Sequence, residues 1–209
     1  MKNLTRYIIT TYGGNAVPKT ILEDACRKFE ADPKYTINYM SAYGYLVRIL
    51  NEVYYVKTLE EFSSGKAVNP HRIISLGLNT LDVNWYFGLS TALRMNGATH
   101  EYSDTVFVVS DTIYRNREVG IADARVKFIK INPKLLEFGV LKEDSVQYSD
   151  LEKTLLDMIY LSRYRSVPES RITITVEEYK DSVDRAKIRR YLSAYPSKVE
   201  EIARNAGLT

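Results

Sequence analysis

The stretch TINYMSAYGYLVRILNEVYYVKT, residues 36–58, constrains the fold most, because its hydrophobic period changes halfway along. Within Thr36–Tyr43, apolar Ile37 and Met40 recur at helical spacing and leave Asn38, Tyr39 and Ala42 on another face. Gly44 predicts the helix stop, since glycine readily takes the left-handed conformation of most helix ends. Two β-rich runs follow, Tyr45–Leu50 and Val53–Thr58, parted only by Asn51 and Glu52, which predicts a tight hairpin. Upstream, Lys2–Tyr12 reads as a first helix with Leu4, Tyr7, Ile8 and Thr11 on one face, stopped by Gly13-Gly14. Pro18–Phe29 reads as a second amphipathic helix, with the proline in its first turn.

Helix, turn, helix and hairpin in that order predict a winged helix-turn-helix over residues 1–62. The plainer alternative is a helix and hairpin that merely close a small core. On the winged reading, Tyr35, Thr36, Asn38, Tyr39 and Ser41 face the major groove of double-stranded DNA, and Arg48 and Lys57 hold the wing to the backbone. Lys19 and Thr20 fall at a helix N-terminus, where free N–H groups can meet phosphate, or they are ordinary solvated first-turn residues. Residues 1–64 carry eight Lys and Arg against seven Asp and Glu, a net charge of +1, which is a thin footprint for a DNA binder.

A chain of 209 residues holds one large or two small domains, and 45% hydrophobic with 26% charged residues is ordinary for a globular protein. No run approaches the roughly 18 apolar residues of a membrane span, and MKNLTRYIITTYGGN lacks a secretory pattern, so a cytoplasmic protein is expected. Cys26 alone excludes an intramolecular disulfide, and with only His71 and His100 beside it no zinc-finger set is available. A net charge of +3 permits nucleic-acid binding without arguing for it.

After a flexible link around 63–69, residues 70–209 predict a mixed α/β domain, making the whole chain α+β. Asn69-Pro70 caps a helix over His71–Asn79, a second runs from about Phe87 to Met95, and Thr105–Ser110 and Ala124–Ile131 read as strands. Arg115, Arg117, Arg125 and Lys127 gather positive charge around that strand pair, as a working surface or as a solvated edge that discourages aggregation. Ser149 and Glu152 suggest a capping box opening a helix over Asp150–Leu161, with Asp157 of open role. Arg171–Val176 suggests a last strand, and helices are expected over Ser182–Ala194 and Ser197–Asn205.

No catalytic constellation stands out. Gly88-Leu89-Ser90 before a strand ending in Asp111 invites a nucleotidyltransferase reading, but that chemistry uses paired carboxylates for two metals and no second aspartate is at hand. A strand-end aspartate is more often a turn residue. His100-Glu101 has no nucleophile placed with it, and the glycines form neither a Walker A nor a dinucleotide fingerprint. No enzyme, metal or cofactor is expected.

Three motifs carry a family resemblance: YLVRILNEVYYV at 45–56, YFGLSTALRMNGAT at 86–99 and SDLEKTLLDMI at 149–159. In order and spacing they resemble the AbiEi-type antitoxins, the transcriptional-regulator half of abortive-infection, type IV toxin–antitoxin pairs. Glu52 stands where that family's wing commonly has glycine, and Leu151 and Lys153 replace proline and arginine in the third motif. The resemblance, over about residues 5–195, implies a winged helix that represses its own operon at repeated operator DNA. It also implies a second domain that counteracts a cognate nucleotidyltransferase-like toxin, usually without a stable complex. Two rivals remain: a stand-alone nucleotidyltransferase centred on Ser90 and Asp111, and an adaptor whose winged helix binds protein.

Overall fold

The computed structural model describes residues 2–50, 52–65, 68–81, 83–100, 103–162 and 176–209. The chain is α+β and divides into two units, one formed by residues 1–83 with 119–125 and the other by residues 84–118 with 126–209.

In the first unit, α1 (Lys2–Tyr12) buries Leu4, Ile8 and Ile9 and ends at Gly13-Gly14. Gly14 has φ +84°, the left-handed region that glycine enters without steric cost. The chain then forms a short strand, β1 (Ala16–Pro18), before α2 (Lys19–Lys28), so Pro18 ends a strand instead of lying in the helix's first turn. The sheet tolerates it because β1 is an edge strand in the order β1-β3-β2, where a missing N–H breaks no ladder. Helix α3 (Pro33–Ala42) starts three residues earlier than the hydrophobic period suggests. Asp32 caps it, accepting the Tyr35 N–H at 2.6 Å, and Pro33 occupies its first position. The hairpin follows as β2 (Leu46–Leu50) and β3 (Val53–Val56), antiparallel, with a register shift between Arg48 and Leu50. Leu4, Ile8, Leu22, Cys26, Ile37, Met40, Leu46 and Val56 share one core.

Two further helices belong to this unit. In α4 (Leu59–Ser63), Thr58 and Glu61 form a reciprocal capping box, and Glu61 also accepts the Tyr55 hydroxyl at 2.8 Å. α5 (Pro70–Asn79) was expected to open the second domain, but it packs on β1, β2 and β3. The first unit therefore runs to Val83, beyond the boundary expected at 62. The reason is Ile49, whose side chain fills the space left by the missing side chain of Gly77.

The second unit is built on a sheet of order β6-β7-β5-β4-β9-β8. Its strands are β4 (Trp85–Phe87), β5 (Thr105–Ser110), β6 (Val119–Ile121), β7 (Ala124–Lys130), β8 (Val140–Glu143) and β9 (Val146–Ser149). Residues 119–125, β6 and the start of β7, cluster with the first unit. β4 pairs antiparallel with β5 and parallel with β9. Between β4 and β5, α6 (Leu89–Met95) begins two residues later than expected, because Phe87 is the last residue of β4. α7 (Leu151–Ser162), α8 (Arg185–Leu192) and α9 (Ser197–Asn205) belong to this unit, and Leu155, Leu156, Ile159, Ile188 and Val199 form part of its core. The strand suggested at Arg171–Val176 lies outside the described residues up to 175, and Val176 itself is helical.

A glycine-to-alanine change inside a helix ordinarily stabilises by about 0.5–1 kcal/mol. At Gly77 the sign should reverse, because the added Cβ would lie 2.5 Å and 2.7 Å from Ile49 side-chain carbons. Gly77→Ala is expected to destabilise by about 1–3 kcal/mol, and combining it with Ile49→Ala should cost less than the sum of the two single changes. Urea denaturation of both variants checks this; a stabilised Gly77→Ala protein would refute the packing.

Candidate functional site

The outward face of α3 follows from its capped start. Thr36, Ile37 and Met40 point into the core, and Lys34, Tyr35, Asn38, Ala42 and Tyr43 point out. Tyr35 and Tyr43 are 60% and 61% exposed, large for aromatic side chains. Tyr39 is half-buried, packs against the core and lies with its ring 4.4 Å from that of Tyr43. Ser41 is half-buried. Thr36 is a correction: at 1% exposure it cannot meet a groove. The sequence period set the helix start at Thr36. Asp32-Pro33, a cap followed by a first-turn proline, was the available signal for the earlier start. Lys34, one turn before Asn38, and Tyr43 at the helix end extend the face beyond the residues the sequence pointed to.

The hairpin presents Arg48, exposed on β2 opposite Tyr54, and Glu52 at its tip. Lys57 is half-buried just after β3, with its N–H donating to the Tyr45 carbonyl at 2.9 Å. Lys19 is not available as a free N-terminal cation. Its ammonium lies 3.2 Å from Glu23 and 4.0 Å from Glu52, and its N–H donates to the Glu52 carbonyl at 2.7 Å. The hydrogen bond to Glu23 leads the causes that raise its pKa. Thr20 beside it is exposed. The first N–H of α2 is thus already satisfied, and the hairpin tip is acidic.

In the second unit, Arg115 and Arg117 are exposed and Lys127 is half-buried, its ammonium donating to the Asn116 carbonyl at 2.5 Å. Arg125 falls among the residues that cluster with the first unit, so the four charges do not make one surface of the second. Asp111 accepts from the Asn84 side-chain amide at 2.9 Å, and Ser90 follows Leu89, which holds a φ of +53° at the sharp turn from β4 into α6. Among the described residues no group of three His, Cys, Asp or Glu side chains is arranged to hold a metal. His100 lies in the loop after α6.

The third sequence motif folds into a sealed polar cluster. Lys153 and Asp157 are fully buried, with ammonium and carboxylate 3.2 Å apart. Asp157 also accepts from Tyr86 at 2.7 Å and Tyr195 at 2.6 Å. The ammonium lies 4.8 Å from the ring centres of both Tyr86 and Phe138, so aromatic faces supply what a second counter-ion would. The helix cap differs from the expected box. Asp150 takes the Lys153 N–H at 2.8 Å, Ser149 bonds Thr154, and Glu152 reaches forward to Lys187 and the Asp184 N–H. Glu152 thereby ties α7 to the start of α8 and has no part in its own helix cap. The cluster is closed to solvent and is structural.

Burial pushes the Tyr86 and Tyr195 hydroxyls well above their ordinary range, reinforced by Asp157, and burial with Asp150 raises Tyr191. The hydrogen bond to Glu143 is the largest cause that lifts Tyr148, to about 12. Burial lowers Lys153, against the pull of Asp157.

No family model matches this chain, and no curated protein matches it. Among solved structures, it is similar to the Rv2827c protein from Mycobacterium tuberculosis, with a TM-score of 0.60 at 12% identity over 98% of this chain and 75% of that one. That likeness is one of fold. No helix among the described residues is long and apolar enough to cross a membrane.

The buried tyrosines set an alkaline limit. Unfolded, each ionises near its ordinary value of 10, whereas the folded chain holds it protonated, so this stabilisation is intact below about pH 10 and is lost as the pH rises further. Lys153 acts in the opposite sense, since its lowered pKa favours the fold as the pH rises, but it is one group against several. The urea midpoint is expected to fall above about pH 10, less steeply in Tyr86→Phe; an unchanged slope in that variant would count against the assignment.

Asp157→Asn leaves a buried ammonium without its counter-charge and is expected to cost about 3–5 kcal/mol. Adding Lys153→Met should cost less than the sum of the single changes. A loss below about 1 kcal/mol in urea denaturation of Asp157→Asn would contradict the pairing.

Proposed function

We propose that the protein is a DNA-binding transcriptional regulator of the antitoxin type, with a winged helix in its first unit. The observation that carries the reading is the order α1-β1-α2-α3-β2-β3 on a β1-β3-β2 sheet, together with a polar, aromatic outward face on the third helix. In this reading α3 enters the major groove. Asn38 offers an amide that can bond an adenine edge in two places, Tyr35 a phenol that can reach base or phosphate, and Lys34 a phosphate contact. Arg48 holds the hairpin to the backbone. The tip contributes little, because Glu52 is negative and Lys19 is engaged by carboxylates. A single copy then makes few contacts, and useful affinity comes from two copies on repeated operator half-sites.

The antitoxin part of the proposal, action against a cognate nucleotidyltransferase-like toxin in the cytoplasm, rests on the sequence resemblance, with Arg115, Arg117 and Lys127 as its nearest cationic surface in the second unit. One observation favours an adaptor as the second reading. A groove of about 510 Å³ on the first unit is lined by Ile9, Tyr39, Tyr45, Leu59 and Phe62, with Lys2 and Arg6 at its rim, and it suits a protein segment as well as DNA suits α3.

The test is a salt titration of binding to the gene's upstream DNA and to random duplex. Asn38→Ala should weaken upstream binding by about 1–3 kcal/mol and leave random DNA nearly unchanged. Arg48→Ala should weaken both and flatten the salt slope by about one charge. If both variants bind like the wild-type chain, α3 and the hairpin are not the DNA surface. Affinity for a protein partner without affinity for DNA would favour the adaptor.

A further inference from the structure

We propose that the second unit binds a nucleoside polyphosphate in the cleft formed by residues 114–116, the end of β7 and the end of α7. The cleft measures about 760 Å³, within the range of small-molecule sites and suited to one nucleotide more than to a strand. Its polar lining is Tyr114, Asn116, Lys127, Lys130, Asn132 and Tyr160, and among the described residues that line it there is no carboxylate. Two ammonium groups with no carboxylate among the described lining residues favour an anion. Lys127 is held in place by its bond to the Asn116 carbonyl, which leaves two of its N–H donors for a ligand. Lys130 is exposed.

The remaining chemistry calls for more than phosphate. The Tyr114 ring is 56% exposed at the cleft, and buried Ile129 and Leu161 give it apolar walls. A planar base can stack on such a ring, a contact that tolerates any base. Asn132 uses its side-chain oxygen on the Lys134 N–H at 3.1 Å, so its amide NH₂ remains to donate to a base edge. A bare phosphate leaves the ring and walls unused, and a neutral apolar ligand leaves the lysines unused. A base joined to a polyphosphate uses all of them. The site is independent of the DNA surface proposed on α3.

Calorimetric titration of the full chain with ATP, GTP, CTP and UTP tests this, with inorganic triphosphate and the free nucleosides as controls. At least one nucleotide is expected to bind below about 1 mM, with triphosphate and nucleoside each about tenfold weaker or worse. Lys130→Ala should loosen binding about tenfold and Lys130→Arg should retain it. Tyr114→Ala should loosen it about fivefold or more. Both positions are exposed, so the fold is expected to survive, and an unchanged urea midpoint checks that. The proposal is overturned if no nucleotide binds at about 1 mM, if triphosphate alone binds as tightly, or if binding survives both alanine changes. Binding of a ten-nucleotide single strand with no affinity for any mononucleotide also overturns it.

Discussion

Lys153 and Asp157 are an ion pair sealed from solvent, and the second unit is arranged so that neither charge is left alone. Removing two charges from water costs several kcal/mol each, so such a pair survives only where every remaining donor and acceptor is met. Tyr86 brings β4 to the carboxylate, Tyr195 brings the segment between α8 and α9, and Phe138 closes over the ammonium from the loop before β8. Gly139 must stay without a side chain, because a Cβ there would come within 2.8 Å of Lys153, and its φ of +64° suits glycine in any case. Asp150, Glu152 and Lys187 form an outer layer that fixes α7 against α8. The compact ammonium fits among three aromatic rings, with both carboxylate oxygens of Asp157 beside it.

The first unit is organised differently, by apolar burial with few charges. Its polar links include the Thr58–Glu61 box, the Tyr55–Glu61 bond, and the Lys19–Glu52 link between α2 and the hairpin tip. The last of these has a consequence for recognition. By placing a carboxylate 4.0 Å from the Lys19 ammonium, it offsets part of the charge of the cation best placed for phosphate, although both side chains stay exposed to solvent. It also steadies a hairpin whose β2–β3 register slips near Arg48.

Much of the first unit was legible in the sequence because its signals are local. The period change at Gly44, the paired β-rich runs and the glycine stop of α1 all depend on neighbours in the chain. Thr36 was misplaced because two residues of apolar period are too few to set a helix start, whereas the Asp32-Pro33 cap sets it by hydrogen bonding and a fixed φ. The sequence places α5 with the second domain because its partner, Ile49, lies far away in the chain. What decides the matter is the missing side chain of Gly77, which no pattern announces. β4 and the β8–β9 hairpin were missed for a related reason. Trp85–Phe87 is a short run with no alternation, and it becomes a strand only by pairing with both β5 and β9. Glu152 read as a capping-box residue from spacing alone, but Lys187 and Asp184, more than thirty residues away, hold it instead.

On the two proposals, the units meet anionic partners in different ways. In residues 1–64 the cations nearly balance the anions, and Lys19 is spent on carboxylates within the unit. Whatever α3 recognises on the proposed reading must therefore be read by its amide and phenols more than by field strength, since nonspecific attraction to a phosphate backbone grows with the number of free cations. Such a surface gains selectivity at the expense of reach, and doubling it across repeated half-sites restores affinity without adding charge. In the second unit, Lys127 and Lys130 line one cleft together with the apolar side chains of Ile129, Ile131 and Leu161. A cation beside apolar walls acts more strongly on a small ligand than one on open surface, so on the two proposals the same modest net charge serves a shape-reading face in one unit and an anion-holding cleft in the other.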